Sequence, residues 1–158
     1  MTAKPICVII YSMAIPKTGR IRLTWEKTAL KLAFDIAKYR SQDPYVQVGA
    51  VVIKTDGSMF LGYNGAPSGV NIDWSDREER RRRVIHAEAN VLNYVKPGEC
   101  KLIAVTHLPC LECLKTIAQK RISKVIYSEE LAHCHIDLSK QLASEFNIEL
   151  IRVDPNEL

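Results

Sequence analysis

His86, Cys110 and Cys113 are three side chains that together suit a borderline-soft metal ion, and Glu88 follows the first of them by two residues. One imidazole and a Cys-x-x-Cys pair are zinc ligands. Three protein ligands leave a fourth tetrahedral position for water or substrate, which is the arrangement of a catalytic rather than a structural zinc. Cys110 and Cys113 are three residues apart, so a helix puts both thiols on one face. Pro109 belongs at the entrance of that helix. It places Cys110 in the first turn, where free N–H groups and the positive end of the helix dipole favour a thiolate. His86 is read as opening a second helix. Glu88 diverges from His86 on an ideal helix, so it is a proton carrier beside the metal and not a ligand. Metal-activated water next to a carboxylate makes a hydrolytic site.

His86-x-Glu88 followed by Pro109-Cys110-x-x-Cys113 is the signature of zinc nucleobase deaminases. Further motifs extend the likeness: Ser41-Gln42-Asp43-Pro44, Gln47-Val48-Gly49-Ala50, Gly62-Tyr63-Asn64-Gly65-Ala66-Pro67, His86-Ala87-Glu88-Ala89-Asn90 and Leu108-Pro109-Cys110. Over roughly Trp25 to Val153 the chain resembles the zinc-dependent cytidine and deoxycytidylate deaminases. The resemblance implies an α/β fold of the cytidine-deaminase-like type, a three-layer α/β/α sandwich around a mixed five-stranded sheet. It implies hydrolysis of deoxycytidine monophosphate (dCMP) to deoxyuridine monophosphate (dUMP) and ammonia, with Glu88 moving protons and His86, Cys110 and Cys113 holding Zn2+. It also implies regulation by dCTP and dTTP, with Mg2+ accompanying these triphosphates, and a homo-oligomer, a hexamer being favoured. Asn64 resembles the loop asparagine that holds the sugar and phosphate region. Ala87 is expected at the substrate, and Gly62, Tyr63 and Gly65 mark a phosphate or effector region. Tyr127 ends a strand where ligands collect in parallel sheets, and reads equally as a base-stacking residue or a core tyrosine. One departure stands out: Ser128-Glu129-Glu130-Leu131-Ala132 lacks the tyrosine that several deoxycytidylate deaminases carry there.

The elements that must position these residues follow from periodicity. Thr24 is a helix N-cap, and Ala29, Leu32, Ala33, Ile36 and Ala37 fall on one helical face before Asp43-Pro44 ends the element. Gln47 to Ile53 is a buried strand, Asp56-Gly57 a hairpin turn, and Met59 to Tyr63 the returning strand. Asn64 to Asp73 is loop. A helix runs from near His86 to about Tyr94, a strand over Leu102 to Val105, a helix over Cys110 to Lys120 and a strand over Val125 to Tyr127. Leu138, Leu142 and Phe146 lie four apart and mark a further helix, and Ile148 to Val153 is the last strand. Helical crossovers make the last three strands parallel. The resemblance adds that a helix between the last two strands separates deoxycytidylate and tRNA-type deaminases from free-nucleoside ones.

The chain has 158 residues, 47% hydrophobic and 25% charged, enough for one domain with its own core. Residues 24–158 read as that domain and 1–23 as an N-terminal extension. Within the extension Ile6 to Ile15 is apolar but too short to span a bilayer, so it reads as a strand or irregular segment more readily than as an export signal. Five cysteines, an odd number with one motif pair, argue for reduced thiols and a cytoplasmic setting, with Cys7 and Cys100 as apolar fillers. The net charge of +4 suits phosphorylated small molecules and nucleic acid alike. Arg80 to Arg83 read as a solvated face or a phosphate contact, and less readily as a polynucleotide site. His107 is a pocket-edge residue before it is a fourth ligand, and His133-Cys134-His135 lacks a partner pair for a second zinc. A deaminase of cytosine or adenine in tRNA or single-stranded DNA would need a basic groove and aromatic platforms. With 7% aromatic residues, nucleic acid is not the expected partner, and no membrane is. A non-catalytic zinc module would have no use for Glu88.

Overall fold

The computed structural model describes residues 22–132 and 135–158. The expectations for Ile6 to Ile15, Cys7, His133 and Cys134 lie outside these residues. Five strands form one sheet: β1 (Gly49–Lys54), β2 (Met59–Tyr63), β3 (Cys100–His107), β4 (Lys124–Glu129) and β5 (Glu149–Arg152). Their spatial order is β2-β1-β3-β4-β5. β1 runs antiparallel to both β2 and β3, while β3, β4 and β5 are parallel. The helices are α1 (Trp25–Arg40), α2 (Arg77–Arg83), α3 (Ala87–Leu92), α4 (Leu111–Gln119) and α5 (Ile136–Glu145). Because α4 and α5 each link two parallel strands, they are the crossovers that such strands demand.

Strand alternation divides the core in two. Ala50, Val52, Ile103, Val105 and Val125 face α3, α4 and α5. Val51, Ile53, Leu102, Ala104 and Ile126 face α1. Both faces of the central strands are therefore covered, which is why they read as continuous apolar runs. The tight hairpin is where Asp56-Gly57 placed it: Gly57 has φ +88°, and the Asp56 carboxylate accepts from the Ser58 amide at 2.9 Å.

Two helical faces differ from the periodic reading. In α1, capped by Thr24 at 3.3 Å from the Lys27 amide, the buried residues are Ala29, Leu30, Ala33 and Ala37, while Leu32 is exposed. The stripe is narrow because α1 lies very close to β1. A Cβ on Gly49 would stand 2.0 Å from the Ala33 carbonyl oxygen. In α5 the buried residues are Ser139 and Ala143, with Leu138 and Phe146 exposed and only Leu142 packed on the core. Small residues again set the seam.

Gly62 plays the same part for α3. Its hypothetical Cβ would lie 2.5 Å from the Ala87 carbonyl oxygen and 2.8 Å from the Val91 amide nitrogen. Gly62, expected in a phosphate or effector region, here clears space for the helix that carries Glu88. Gly65 likewise faces the Gln42 side chain, 2.7 Å from a built Cβ, and bridges Ile85. Overpacking such contacts costs about 1–3 kcal/mol. Gly62→Ala should therefore lower the urea midpoint at unchanged m-value, as read by equilibrium unfolding. A midpoint equal to wild type would show that α3 is not held against β2 in this way.

Candidate metal centre and active site

The sheet delivers the ligands through two helix starts. His86 is the N-cap of α3. Cys110 is the N-cap of α4, and Cys113 sits in its first turn. Pro109 therefore precedes the cap instead of occupying the first helical position, and Cys110 stands one residue earlier than its expected first-turn place. The effect on chemistry is the same, since unpaired N–H groups at both helix starts surround the thiols. Val91 and Leu92 of α3 and Leu114 and Ile117 of α4 anchor both helices in one buried cluster.

The result is a compact donor set. His86 Nδ1 lies 3.5 Å from Cys110 Sγ and 3.4 Å from Cys113 Sγ, and all three donor atoms fall within 4.8 Å of one another. Tetrahedral zinc with bonds of about 2.3 Å to sulfur and about 2.0 Å to nitrogen needs ligand separations of about 3.5–3.8 Å. The residues fit that ion. Their protons are already shared. Contacts from Cys113 and then His86 draw Cys110 down to about 4, despite its partial burial. The Cys110 contact lifts His86 to about 9. The Cys110 contact and burial push the Cys113 thiol up. Metal binding displaces such protons and so gains affinity as pH rises.

A cavity of about 340 Å³ opens beside this cluster, within the range of small-ligand pockets. Glu88 lines it, 4% exposed. Burial pushes the Glu88 carboxyl above its ordinary range, opposed by the nearby His86. Ala87 lines the same cavity. His107 stands at its edge but is no ligand: Nδ1 contacts Thr106 Oγ1 at 2.9 Å, and Nε2 lies 2.9 Å from the Glu129 carboxylate. Among the described residues the donor set is His86, Cys110 and Cys113.

Asn64 also lines the cavity, yet most of its polar capacity is spent on the protein. Its Oδ1 accepts from Ser41 Oγ at 2.6 Å and the Val48 amide at 2.8 Å, while Nδ2 donates to the Val46 carbonyl at 2.8 Å. One amide N–H remains. Gly62, Tyr63 and Gly65 are not among the cavity residues. The Tyr63 carbonyl instead accepts from Asn90 Nδ2 at 2.6 Å, and its ring lies 5.5 Å from the Arg40 guanidinium. Tyr127 does not line the cavity either. Strand alternation turns it to the α5 side, where it is buried and its hydroxyl donates to Glu130 at 3.0 Å. Of its two readings, the core tyrosine is the one the geometry favours.

Among the cavity residues that escaped the sequence reading are Leu131, Asp43 and Arg77. Leu131 lies in the run that lacks the family tyrosine and supplies an apolar wall there. Asp43 stood within a quoted motif. Arg77 was separated from the arginine run by two glutamates, and its four-residue spacing to Arg81 was the available signal.

The ligand assignment makes a direct prediction. Cys113→Ala should lose most bound zinc relative to wild type when both are loaded and desalted together, measured by elemental analysis. Full retention of one zinc per chain would overturn the assignment.

The comparisons with known proteins agree with this geometry. Residues 23–129 match the family model for the cytidine and deoxycytidylate deaminase zinc-binding region. An uncharacterized deaminase encoded in the luxG 3′ region of Aliivibrio fischeri is 38% identical over 109 residues, covering 67% of this chain and 74% of that protein. Deoxycytidylate deaminase of Mus musculus is 33% identical over 122 residues, covering 70% of this chain and 68% of that protein. The crystal structure of dCMP deaminase from cyanophage S-TIM5, in complex with dCMP and dUMP, superposes with a TM-score of 0.69 at 28% identity, covering 84% of this chain and all of that one. With this family match over residues 23–129, beside a three-donor metal site and a buried glutamate in one cavity, the chain belongs to the cytidine and deoxycytidylate deaminase family of zinc-binding enzymes.

Proposed function

We propose that the chain hydrolyses dCMP to dUMP and ammonia. The observation that carries the reading is a buried carboxyl, Glu88, in the same cavity as a three-donor zinc site. Zinc bound there would supply the Lewis acidity that makes water a nucleophile near neutral pH. Glu88 takes the proton of the attacking water and delivers it to N3 of the cytosine. A new C4–O bond forms; Glu88 then takes the second proton from the C4 hydroxyl and passes it to the amine, so that C4=O forms as the C4–N4 bond breaks and ammonia leaves. Burial suits it to both duties, because desolvation lifts the carboxyl above its ordinary range and makes it a better proton acceptor than an exposed carboxylate. Ala87 offers backbone to the base, and the remaining N–H of Asn64 is available to the sugar. Leu131, Val46 and Val48 give the cavity an apolar lining suited to a base.

Support for dCMP over other cytosines comes from relatives: curated deoxycytidylate deaminases at about one-third identity and a structural neighbour holding dCMP and dUMP. We further propose control by dCTP and dTTP as Mg2+ complexes and assembly into a homo-oligomer, a hexamer being favoured, as the sequence resemblance implies. Thiol ligands support a reducing, cytoplasmic setting. Among the described residues no helix is long and apolar enough to cross a membrane. Residues 24–158 act as the catalytic domain in this reading, with 1–23 as an extension.

Glu88→Gln should keep its zinc and its unfolding midpoint but lose about 10²–10⁴-fold or more in kcat, the typical worth of general acid–base catalysis. Wild-type turnover by the zinc-loaded variant would refute the proton-transfer role. The substrate reading is checked by comparing dCMP, deoxycytidine, CMP, tRNA and single-stranded DNA. The expected order puts dCMP first by kcat/KM, and a polynucleotide in that place would replace the reading.

A further inference from the structure

α2 brings three arginines to the cavity that holds Glu88. Arg77, Arg80 and Arg81 all line it. Their spacing of i, i+3 and i+4 gives them one helical face. Arg83 is held elsewhere, 3.4 Å from both the Glu79 carboxylate and the Asn71 carbonyl. A merely solvated helix would have no reason to place three of its five arginines along the reaction cavity.

The three differ in what they already bind. Arg80 is committed to the protein. Its Nε lies 4.0 Å from the Asp43 carboxylate, its Nη1 donates to the Trp74 carbonyl, and its guanidinium sits 4.1 Å from the Tyr45 ring centroid. Its side chain is only 17% exposed and that of Asp43 only 10%. Arg80 therefore neutralises the one acid on that wall, and it stitches α2 to the loop after α1. Arg81 has a different kind of partner: Glu78 at 3.5 Å, with side chains 67% and 71% exposed. Exposed pairs of this sort contribute little and are readily exchanged. Arg77 has no carboxylate partner among the described residues. Asp76, the nearest acid in sequence, spends its carboxylate on the Glu78 and Glu79 amides.

Two cavity-lining arginines thus stand one turn apart on a helix, one without a carboxylate partner and one with only an exposed, exchangeable one. We propose that Arg77 and Arg81 bind the 5′-phosphate of the substrate and set its selectivity for a nucleotide over a nucleoside. The assignment rests on the deoxynucleotide reading above. Two arginines match a phosphate monoester dianion in charge and in fork geometry. Arg80 cancels Asp43, so the anion meets a wall of net positive charge. The ester oxygen then ties the sugar between α2 and the Asn64 loop, leaving the base for Glu88.

The test is the ratio of kcat/KM for dCMP to that for deoxycytidine, in wild type, Arg77→Ala/Arg81→Ala, Arg77→Lys and Arg83→Ala, with zinc content and unfolding midpoint measured in parallel. A charged hydrogen bond lost from each arginine should lower the ratio about tenfold or more per residue, chiefly through KM. Arg77→Lys should restore part of it, and Arg83→Ala should leave it near wild type. Inorganic phosphate, used as a competitor against deoxycytidine, should inhibit wild type more strongly than the double variant. A double variant that keeps the wild-type ratio, or that loses both substrates equally, overturns the arginine assignment while leaving dCMP as substrate. A wild-type enzyme with no preference for dCMP overturns the nucleotide reading itself.

Discussion

Everything chemical in this molecule depends on two helices docking their N-termini on the same face of one sheet. α3 supplies His86 and Glu88, and α4 supplies Cys110 and Cys113. Neither helix carries a complete site. The imidazole reaches 3.4 and 3.5 Å from the two thiols only because Val91, Leu92, Leu114 and Ile117 are buried against a shared strand surface. The approach of α3 is set in turn by Gly62, where any side chain would strike the Ala87 carbonyl. A glycine on a strand therefore governs the position of the buried glutamate beside the metal donors. The general point is that metal and acid–base geometry is held by packing, whose tolerance is a fraction of a methyl group.

Electrostatics then follow from burial. Glu88 is nearly sealed, which lifts its carboxyl. The cluster beside it balances one thiolate against one imidazolium until a divalent ion takes over both roles. Farther out, the wall built by α2 is positive, with its single internal acid answered by Arg80. Charge thus changes from proton-exchanging at the metal end to anion-attracting at the α2 end. A molecule with an amino-pyrimidine at one end and a phosphate at the other fits that gradient.

The sequence made the reactive atoms legible because chemistry constrains residue type and spacing tightly. His86, Glu88, Cys110 and Cys113 could be assigned roles before any fold was known, and five strands in a mixed sheet followed from periodicity and crossovers. What it hid were matters of facing. Leu32 and Leu138 match helical periodicity but lie at the edge of their stripes, because alanines and Ser139 form the close seams. Tyr127 sits at the ligand-collecting end of a parallel strand, yet alternation commits it to Glu130 and α5. Asn64 reads as a ligand contact, but three of its hydrogen bonds hold the backbone of 46–48 and Ser41. Arg77 shares a helical face with Arg81, but that the face borders the cavity is visible only in the fold. In each case the missing information was tertiary: which side of an element is covered, and by what.

The central claim is a three-donor zinc site with one position free for exchange, and X-ray absorption at the zinc edge tests it most directly. The account predicts two sulfur scatterers at about 2.3 Å and two nitrogen or oxygen scatterers at about 2.0 Å. One of the light scatterers should be lost in a zinc-loaded His86→Ala protein, or be replaced by solvent with a disordered bond. A shell of three or four sulfurs, or one with no sulfur at all, would contradict the site on which every later step depends.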